Sequence, residues 1–250
     1  MGSLLSRRFD TLIVMPSLTS RQDELSKCIT QINARSELPF ELLVVLDRDD
    51  ESVVDSGEYV PRHPMWEQGT VIYRPTRGGL LGAYNSGFAW FAAGHWDRLI
   101  MMEDGITVTP GWDWVLRRTL ENHPEFGWVA CGQLEHPVPF TPLCSMMTRQ
   151  CALAVRGLDP WFAPCQFDDA DLLLRVQLAG FMPHGVPHRV SHPEGRTSVA
   201  PADRQKDLEL MHRNRQKFAA RWSIPDSTLP RVPIHTDCGA CEPPPRPEAA

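Results

Sequence analysis

The chain has 250 residues, with 25 Lys or Arg against 31 Asp or Glu, so its net charge is −6 when histidine is neutral. That length suits one α/β domain or two small ones. The acidic balance argues against a broad nucleic-acid surface, although a local basic groove stays compatible with it. No segment approaches the roughly 18 apolar residues of a membrane-spanning helix, and no signal peptide is evident. Seven cysteines without regular spacing favour a reducing, cytoplasmic location.

Strand and helix signals alternate in the first half of the chain. Apolar runs predict four strands, at 11–15, 41–46, 70–74 and 98–102. A helix over 21–35, capped by Ser20, is predicted between the first two, and a second helix near 81–93 between the last two. Continuous apolar runs separated by helices are typical of a parallel sheet that is covered on both faces.

The second half is less regular. It contains a predicted strand at 127–131, a strand that passes into a helix over 145–158, and two further helices, at 169–180 and from about 202 to 221. Gly180 is expected to close the first of these helices. From about residue 225 prolines and polar residues dominate, which predicts an extended or disordered tail. The Cys238-x-x-Cys241 pair lies in this tail without a second pair, so it is weak evidence for zinc.

Charged residues follow the predicted strands directly. Asp47 follows the second strand, Arg74 to Arg77 the third, and Glu103-Asp104 the fourth. In an open parallel sheet the ligand lies beyond the carboxyl ends of the strands, so these side chains are expected to line one crevice. Two adjacent carboxylates after a buried strand suit a divalent cation with oxygen ligands. The alternative is a solvated loop whose acids are incidental.

Two later features add candidate chemistry. Asp168, Asp169 and Asp171 begin the helix at 169–180, where they either cap it and complement its dipole or supply a general base. A carboxylate at a helix N-terminus is expected to stay ionised, as a base must. His192 closes a short apolar segment. Histidine suits manganese when carboxylates provide the other ligands, although a lone histidine is also common as a structural residue.

A glycine-rich turn, "RPTRGGLLGAYNSG" at 74–87, follows the third predicted strand. Glycines between a strand and a helix permit close approach of the backbone to phosphate, and Arg74 or Arg77 can pair with that phosphate. The segment is not a G-x-G-x-x-G, and no G-x-x-x-x-G-K-[ST] occurs anywhere in the sequence. Both facts count against a dinucleotide oxidoreductase and a P-loop NTPase.

Over about residues 10–195 the order of these pieces resembles the family 2 glycosyltransferases of the GT-A fold, and small bacteriophage-encoded members look closest. "TLIVMPSLTSR" looks like the opening strand and its polar loop, and "ELLVVLDRDD" like the strand whose last Asp contacts the base. "GLLGAYNSGFAWFAAG" looks like the helix that carries an Asn and a Gly. "MMEDGITVTPGW" falls at the D-x-D motif, with Gly105 in place of its third acid. "DDADLLLRVQLAG" is similar to the helix start that carries the catalytic base, and "VSH" to the closing strand of the metal site.

The resemblance implies a single α/β domain of the GT-A fold over 1–224, Rossmann-like, with a mostly parallel central sheet flanked by helices. Its nucleotide-binding half covers about 8–112 and its acceptor half about 113–224, followed by the tail at 225–250. The implied reaction is an inverting transfer from a nucleoside-diphosphate sugar, with a UDP-sugar favoured, to a hydroxyl acceptor in the presence of Mn²⁺ or Mg²⁺. The acceptor classes are a glycan, a protein, a small metabolite or a hydroxymethylated base in DNA.

The same resemblance assigns roles to individual residues. Asp169 is the implied catalytic base, with Asp168 and Asp171 as further acids of the site. Asp104 and His192 are the implied metal ligands. The implied nucleotide-binding residues are Pro16, Arg21, Asp47, Arg77, Gly78, Gly79, Asn85 and Glu103.

Three other functions are compatible with the sequence. A nucleotidyltransferase would use a similar sheet and metal but would release pyrophosphate from a nucleoside triphosphate. A non-catalytic sugar-nucleotide or carbohydrate-binding module would bind without turnover and would use Trp90, Trp96, Trp112 and Trp161 as stacking platforms. A purely structural role would leave the acidic clusters and His192 unexplained.

Overall fold

The structure is a computed structural model that describes residues 9–47, 69–74, 78–133, 142–191 and 204–224. The strands are β1 (Thr11–Leu18), β2 (Glu41–Asp47), β3 (Gly69–Tyr73), β4 (Arg98–Met102), β5 (Trp128–Gln133), β6 (Cys144–Thr148) and β7 (Pro183–Val190). The α-helices are α1 (Gln22–Arg35), α2 (Gly79–Ala93), α3 (Trp112–Asn122), α4 (Arg149–Val155), α5 (Asp168–Leu178) and α6 (Arg204–Trp222). Short 3₁₀ turns cover Thr19–Arg21 and Pro160–Phe162.

The strands form one sheet in the order β3-β2-β1-β4-β6-β5-β7. The first four strands are mutually parallel. β6 runs antiparallel to β4 and β5, while β5 pairs in parallel with β7. Alternate β1 residues enter two separate apolar cores, with Ile13 and Met15 on one face and Leu12 and Val14 on the other. The predicted α/β architecture, a mostly parallel sheet covered on both faces, is therefore confirmed.

The order of the strands reverses between β1 and β4, and pairing between these two strands stops early. The β1–β4 ladder ends at Val14 and Met101, whereas β1 continues to pair with β2 as far as Leu18 and Asp47. Pro16 lies in the part of β1 that pairs only with β2, and as a proline it has no backbone N–H to donate. Ligands of open α/β sheets bind at such a reversal, beyond the carboxyl ends of the strands.

Helix α3 and most of strand β7 were absent from the sequence-based prediction, which gave only the closing strand of "VSH" at 190–192 in the region of β7. The predicted cap of α1 was wrong. Helix α3 follows Gly111, which adopts φ +79°. Strand β7 contains Pro183, His184, Pro187 and His188, and these residues hide a strand because they break the apolar pattern and have low β-propensity. Ser20 does not cap α1, because the chain first makes the 3₁₀ turn Thr19–Arg21 and the helix begins with Arg21 as its N-cap.

Several predictions fall outside the described residues: the roles of Arg77 and His192, and the tail with Cys238 and Cys241. Within the described residues, no helix is both long and apolar enough to cross a membrane. The cysteines of the described segments, five in all, are free thiols.

Helix α2 lies against β1 at Gly87, and this contact gives a test of the fold. A Cβ added at Gly87 would lie 2.2 Å from Val14 Cγ1, so we expect Gly87→Ala to lower the free energy of unfolding by about 1–3 kcal/mol through overpacking. Chemical denaturation measures this loss. The control Ser86→Ala, one residue away and half-buried, is expected to change stability by at most about 0.5 kcal/mol. An equal cost of Gly87→Ala in a Val14→Ala background would contradict the proposed contact.

Candidate active site

Asp104 lies at the strand-order reversal and is almost fully buried, with 3% of its surface exposed. The Ser17 hydroxyl donates a 2.6 Å hydrogen bond to its Oδ2, and Arg21 Nη1 lies 2.8 Å from its Oδ1. Burial raises the pKa of Asp104, while Ser17 and Arg21 oppose that rise. Because the acid is buried and its two oxygens have specific partners, the alternative of an incidental acid on a solvated loop is wrong for Asp104.

Asp47 ends β2 one strand away from this cluster and is also buried. Its carboxylate accepts a hydrogen bond from the Gly78 backbone N–H, at 3.3 and 3.1 Å to the two oxygens, and pairs with Arg74 at 3.3 Å. The Arg74 guanidinium passes so close to Gly78 that a Cβ there would lie 2.1 Å from Nη1. Asp47 therefore holds Gly78, the residue before α2, and a side chain at Gly78 would require the Arg74 guanidinium to move.

The loop between α4 and α5, residues 157–167, is tied to the first turns of α2. Asn85 donates from Nδ2 to the Leu158 carbonyl at 2.8 Å and accepts at Oδ1 from the Leu158 N–H at 2.7 Å. Gly79 adopts φ +65°, and a Cβ there would lie 2.7 Å from Pro164 Cβ. Because the polar atoms of Asn85 bind this loop, its role in the structure is to join α2 to loop 157–167 rather than to face an open crevice.

The acidic start of α5 lies within electrostatic range of Glu103, which follows β4. Asp168 is buried, and burial together with the charge of Asp169 raises its pKa to about 7, with a smaller contribution from Glu103. Asp169 is exposed. Loss of hydration of its carboxylate among the neighbouring groups and the charge of Glu103 raise its pKa. For Asp168 the expectation that the helix N-terminus keeps the acid ionised therefore fails below about pH 7, because burial and the charge of Asp169 outweigh the helix dipole. For Asp169 it stays a prediction.

Tyr84 of α2 was not predicted as a site residue. It is buried, and its pKa is raised well above the ordinary value by burial and by the charges of Glu103, Asp104 and Asp168. Tyr84 therefore lies within electrostatic reach of the β4 acids and of the acids at the start of α5. Its position in "GLLGAYNSG" carries no sequence signal, since a tyrosine on a helix is more often a core residue.

Asp171 belongs to the contact with α6. Its carboxylate accepts from Arg175 Nε at 2.7 Å and from the Trp222 indole N–H at 3.1 Å, and the side chain has no exposed surface. Asn214 of α6 is also buried and donates from Nδ2 to the carbonyls of Phe162 and Cys165 at 2.7 and 2.8 Å. Helix α6 thus supports loop 157–167 and α5 from behind, a function that the sequence did not indicate.

The residues at the end of β4 fit a hard divalent cation. Mg²⁺ and similar ions bind through one or two carboxylates together with water and substrate phosphates, so a cage of three protein ligands is not required. Asp104 and Glu103 can provide those carboxylates. The described residues contain no cluster of three or more metal-ligating side chains. Ser191, which precedes His192, exchanges two backbone hydrogen bonds with Thr107 at 2.8 and 3.0 Å, close in sequence to Asp104.

The tryptophans limit the carbohydrate-module alternative. Trp96 and Trp112 are buried in the two cores, with 4% and 0% exposure, so the prediction that they form stacking platforms is wrong. Trp90 and Trp161 are exposed. Trp161 lies in the short turn Pro160–Phe162, and the Lys217 ammonium and Arg221 guanidinium lie 5.6 and 5.9 Å from the centre of its ring.

Pro16, which the resemblance gives as a nucleotide-binding residue, is buried inside β1.

Comparison with solved structures gives several glycosyltransferases. The mannosyltransferase PcManGT from Pyrobaculum calidifontis, in complex with GDP-Man and Mn²⁺, matches 89% of this chain and 74% of its own at 14% identity, with a TM-score of 0.59. GalNAc-T7 with UDP, GalNAc and Mn²⁺ matches 90% of this chain at 14% identity and TM-score 0.62, and the chain spans 52% of its length. S. aureus TarS, residues 1–349, in complex with UDP-GlcNAc, matches 84% of this chain and 67% of its own at 11% identity, with a TM-score of 0.59.

No protein-family model matches the chain, and a search of curated protein sequences gives no match. At identities of 11% and 14% the structural likeness concerns the fold. The chain has the fold of the GT-A glycosyltransferases, with a mostly parallel seven-stranded sheet flanked by helices.

The raised pKa of Asp168 predicts a specific pH dependence of stability. The folded protein keeps this proton up to about pH 7, whereas the unfolded chain loses it near the ordinary pKa of about 4. The buried acid therefore costs stability as pH rises between these values, and the cost is constant above pH 7. Asp168→Asn removes this cost, so we expect its stability relative to the wild type to rise by about 2–3 kcal/mol between pH 5 and pH 8.

Urea denaturation of both proteins at several pH values measures this difference. The control Asp23→Asn, at an exposed acid in the first turn of α1, is expected to follow the wild-type pH profile. A stability difference between Asp168→Asn and the wild type that stays constant from pH 5 to pH 8 would contradict the buried, protonated acid.

Proposed function

We propose that this chain is a metal-dependent, inverting glycosyltransferase that moves a sugar from a nucleoside-diphosphate sugar, with a UDP-sugar favoured, to a hydroxyl acceptor. The observation that supports this most strongly is the meeting of two acidic sets at the strand-order reversal. Asp104 lies buried beside Ser17 and Arg21, and the acids at the start of α5 lie within electrostatic reach of Glu103. The fold, shared with enzymes whose structures hold GDP-Man or UDP, agrees with this proposal.

The proposal gives the strand ends distinct binding roles. Asp104 and Glu103, with His192, would hold Mn²⁺ or Mg²⁺, which supplies charge stabilisation to the diphosphate leaving group. Asp47 would bind the base. Its present partners, Gly78 and Arg74, leave it acceptor capacity because a carboxylate offers about four lone-pair sites. Gly78, Gly79 and Arg77 would approach the diphosphate at the start of α2, where the helix dipole favours anions.

Asp169 is the proposed general base. It is exposed at the start of α5, so an acceptor hydroxyl can reach it, whereas Asp168 is buried behind it. The Asp169 carboxylate would take the proton of the acceptor hydroxyl while that oxygen attacks the anomeric carbon. The bond from the anomeric carbon to the diphosphate oxygen breaks in the same displacement, and the nucleoside diphosphate leaves with the bonding electron pair.

A matched pair of variants tests this assignment. We expect Asp169→Asn to reduce sugar transfer by about 10²–10⁴-fold, the usual contribution of a general base. Asp168→Asn makes the same chemical change one residue earlier and is expected to reduce transfer far less, because that acid does not face the acceptor. Binding of UDP with Mn²⁺ should persist in both variants, which separates the loss of the base from the collapse of the site.

Transfer is measured with UDP-, GDP- and TDP-sugars against acceptor sets for glycans, proteins, small metabolites and DNA that contains hydroxymethylated bases. Near-normal transfer by Asp169→Asn with strong loss in Asp168→Asn would contradict the proposed base. Release of pyrophosphate from a nucleoside triphosphate would favour a nucleotidyltransferase instead. Binding without turnover in every set would favour a non-catalytic module.

A further inference from the structure

Asp104, the acid proposed to hold the metal, already has a cationic partner. Arg21 Nη1 lies 2.8 Å from Oδ1, and the Ser17 hydroxyl donates to Oδ2. With only 4% of its side chain exposed, Asp104 needs such a partner, because an isolated buried carboxylate is strongly disfavoured. The other strand-end acid, Asp47, has a corresponding partner in Arg74 at 3.3 Å.

The two members of the Arg21–Asp104 pair differ in their freedom to move. Asp104 lies between the ends of β1 and β4 and is held by Ser17. Arg21 comes from the N-cap position of α1, after a 3₁₀ turn, makes no side-chain cap for that helix, and has 23% of its side chain exposed. The guanidinium can therefore leave the carboxylate towards solvent by changing its own rotamers, whereas Asp104 is buried and held by the hydrogen bond from Ser17 of β1.

From this asymmetry we infer that Arg21 is an internal counter-ion of Asp104. In the absence of donor its guanidinium occupies the place beside the carboxylate that the metal would take. When donor binds, the guanidinium moves to the donor diphosphate. A guanidinium pairs with phosphate as readily as with a carboxylate. Divalent metal alone must then compete with Arg21, so metal and nucleotide bind cooperatively. The inference rests on the proposed function, since it requires a metal at Asp104 and a diphosphate beside it.

The test is titration of Mn²⁺ alone into the protein, with the free ion measured by electron paramagnetic resonance. Arg21→Gln removes the competing charge and is expected to bind Mn²⁺ about tenfold or more tightly than the wild type, within the usual 5–150-fold range of coupling between sites. Arg21→Lys keeps a competing charge and should stay close to the wild type. The control Arg118→Gln removes an exposed guanidinium that pairs with Glu121 on α3 and should leave the affinity for Mn²⁺ unchanged.

Linkage provides a second measurement. Saturating UDP is expected to raise the affinity of the wild type for Mn²⁺ by a larger factor than it raises that of Arg21→Gln, because the variant has no counter-ion to release. If Arg21→Gln does not fold, Arg21→Met keeps the apolar stem of the side chain and tests the same point. Equal or weaker binding of Mn²⁺ by the neutral variants, with equal effects of UDP, would overturn the counter-ion role.

Failure of the counter-ion role and failure of the proposed function give different results. In one outcome the wild type binds Mn²⁺ together with UDP, Asp104→Asn binds neither, and the wild type and Arg21→Gln have the same affinity for Mn²⁺ alone. The proposed function then stands, and the role of Arg21 is wrong. If neither wild type nor Arg21→Gln binds Mn²⁺ with or without UDP, both are overturned. A stabilising pair also predicts that Arg21→Gln lowers the melting temperature more in the wild type than in an Asp104→Asn background.

Discussion

The hydrogen bond from Ser17 to Asp104 joins β1 to the end of β4 at the point where the two strands no longer pair through their backbones. The ladder between them ends at Val14 and Met101, and the next link is this 2.6 Å side-chain contact. A sheet whose strand order reverses leaves a crevice there, and a buried carboxylate at its base needs compensation by charge. The position of the candidate site, the proposed metal and the proposed role of Arg21 all depend on this constraint.

A second requirement is that the acids of α5 reach the same crevice from a distant part of the chain. Loop 157–167 meets this requirement because it is held from both sides. Asn85 binds the Leu158 backbone on the α2 side, and Asn214 binds the carbonyls of Phe162 and Cys165 on the α6 side. Two side-chain amides, half-buried Asn85 and buried Asn214, thus fix the approach to α5, which sets where Asp168 and Asp169 lie.

The first half of the fold could be predicted from sequence because its signals are local. The apolar runs that become β1, β2, β3 and β4 follow one another with helices between them, and the rule for ligand sites in open sheets places Asp47 and Asp104 correctly at one edge. β7 could not be predicted, since Pro183 and Pro187 remove donors and its pairing with β5 depends on a partner about fifty residues earlier. Helix α3 was missed for a different reason, because it begins directly after Thr109-Pro110-Gly111, a combination that is typical of a turn.

Within the site, residue type was more predictable than residue environment. An acid after a buried strand is visible in the sequence, but burial and neighbouring charge decide whether it is ionised, and both depend on tertiary contacts. Asp168 and Asp169 illustrate this, since adjacent acids in one helical turn differ in exposure. Asp171 and Asn85 looked equally functional in the sequence, yet their polar atoms bind α6 and loop 157–167 respectively.

The central claim is that Asp104 makes nucleotide binding depend on a metal, and calorimetric titration of nucleoside diphosphates tests it most directly. UDP, GDP, CDP, ADP and dTDP are titrated into wild type and Asp104→Asn, each with and without Mn²⁺. Asparagine keeps the shape of the side chain and the acceptor for Ser17, so the fold is retained while the charge is lost. The account predicts that one diphosphate, UDP, binds wild type only with Mn²⁺ and does not bind Asp104→Asn. Binding that is independent of both Mn²⁺ and Asp104, or no binding of any of the five, would contradict it.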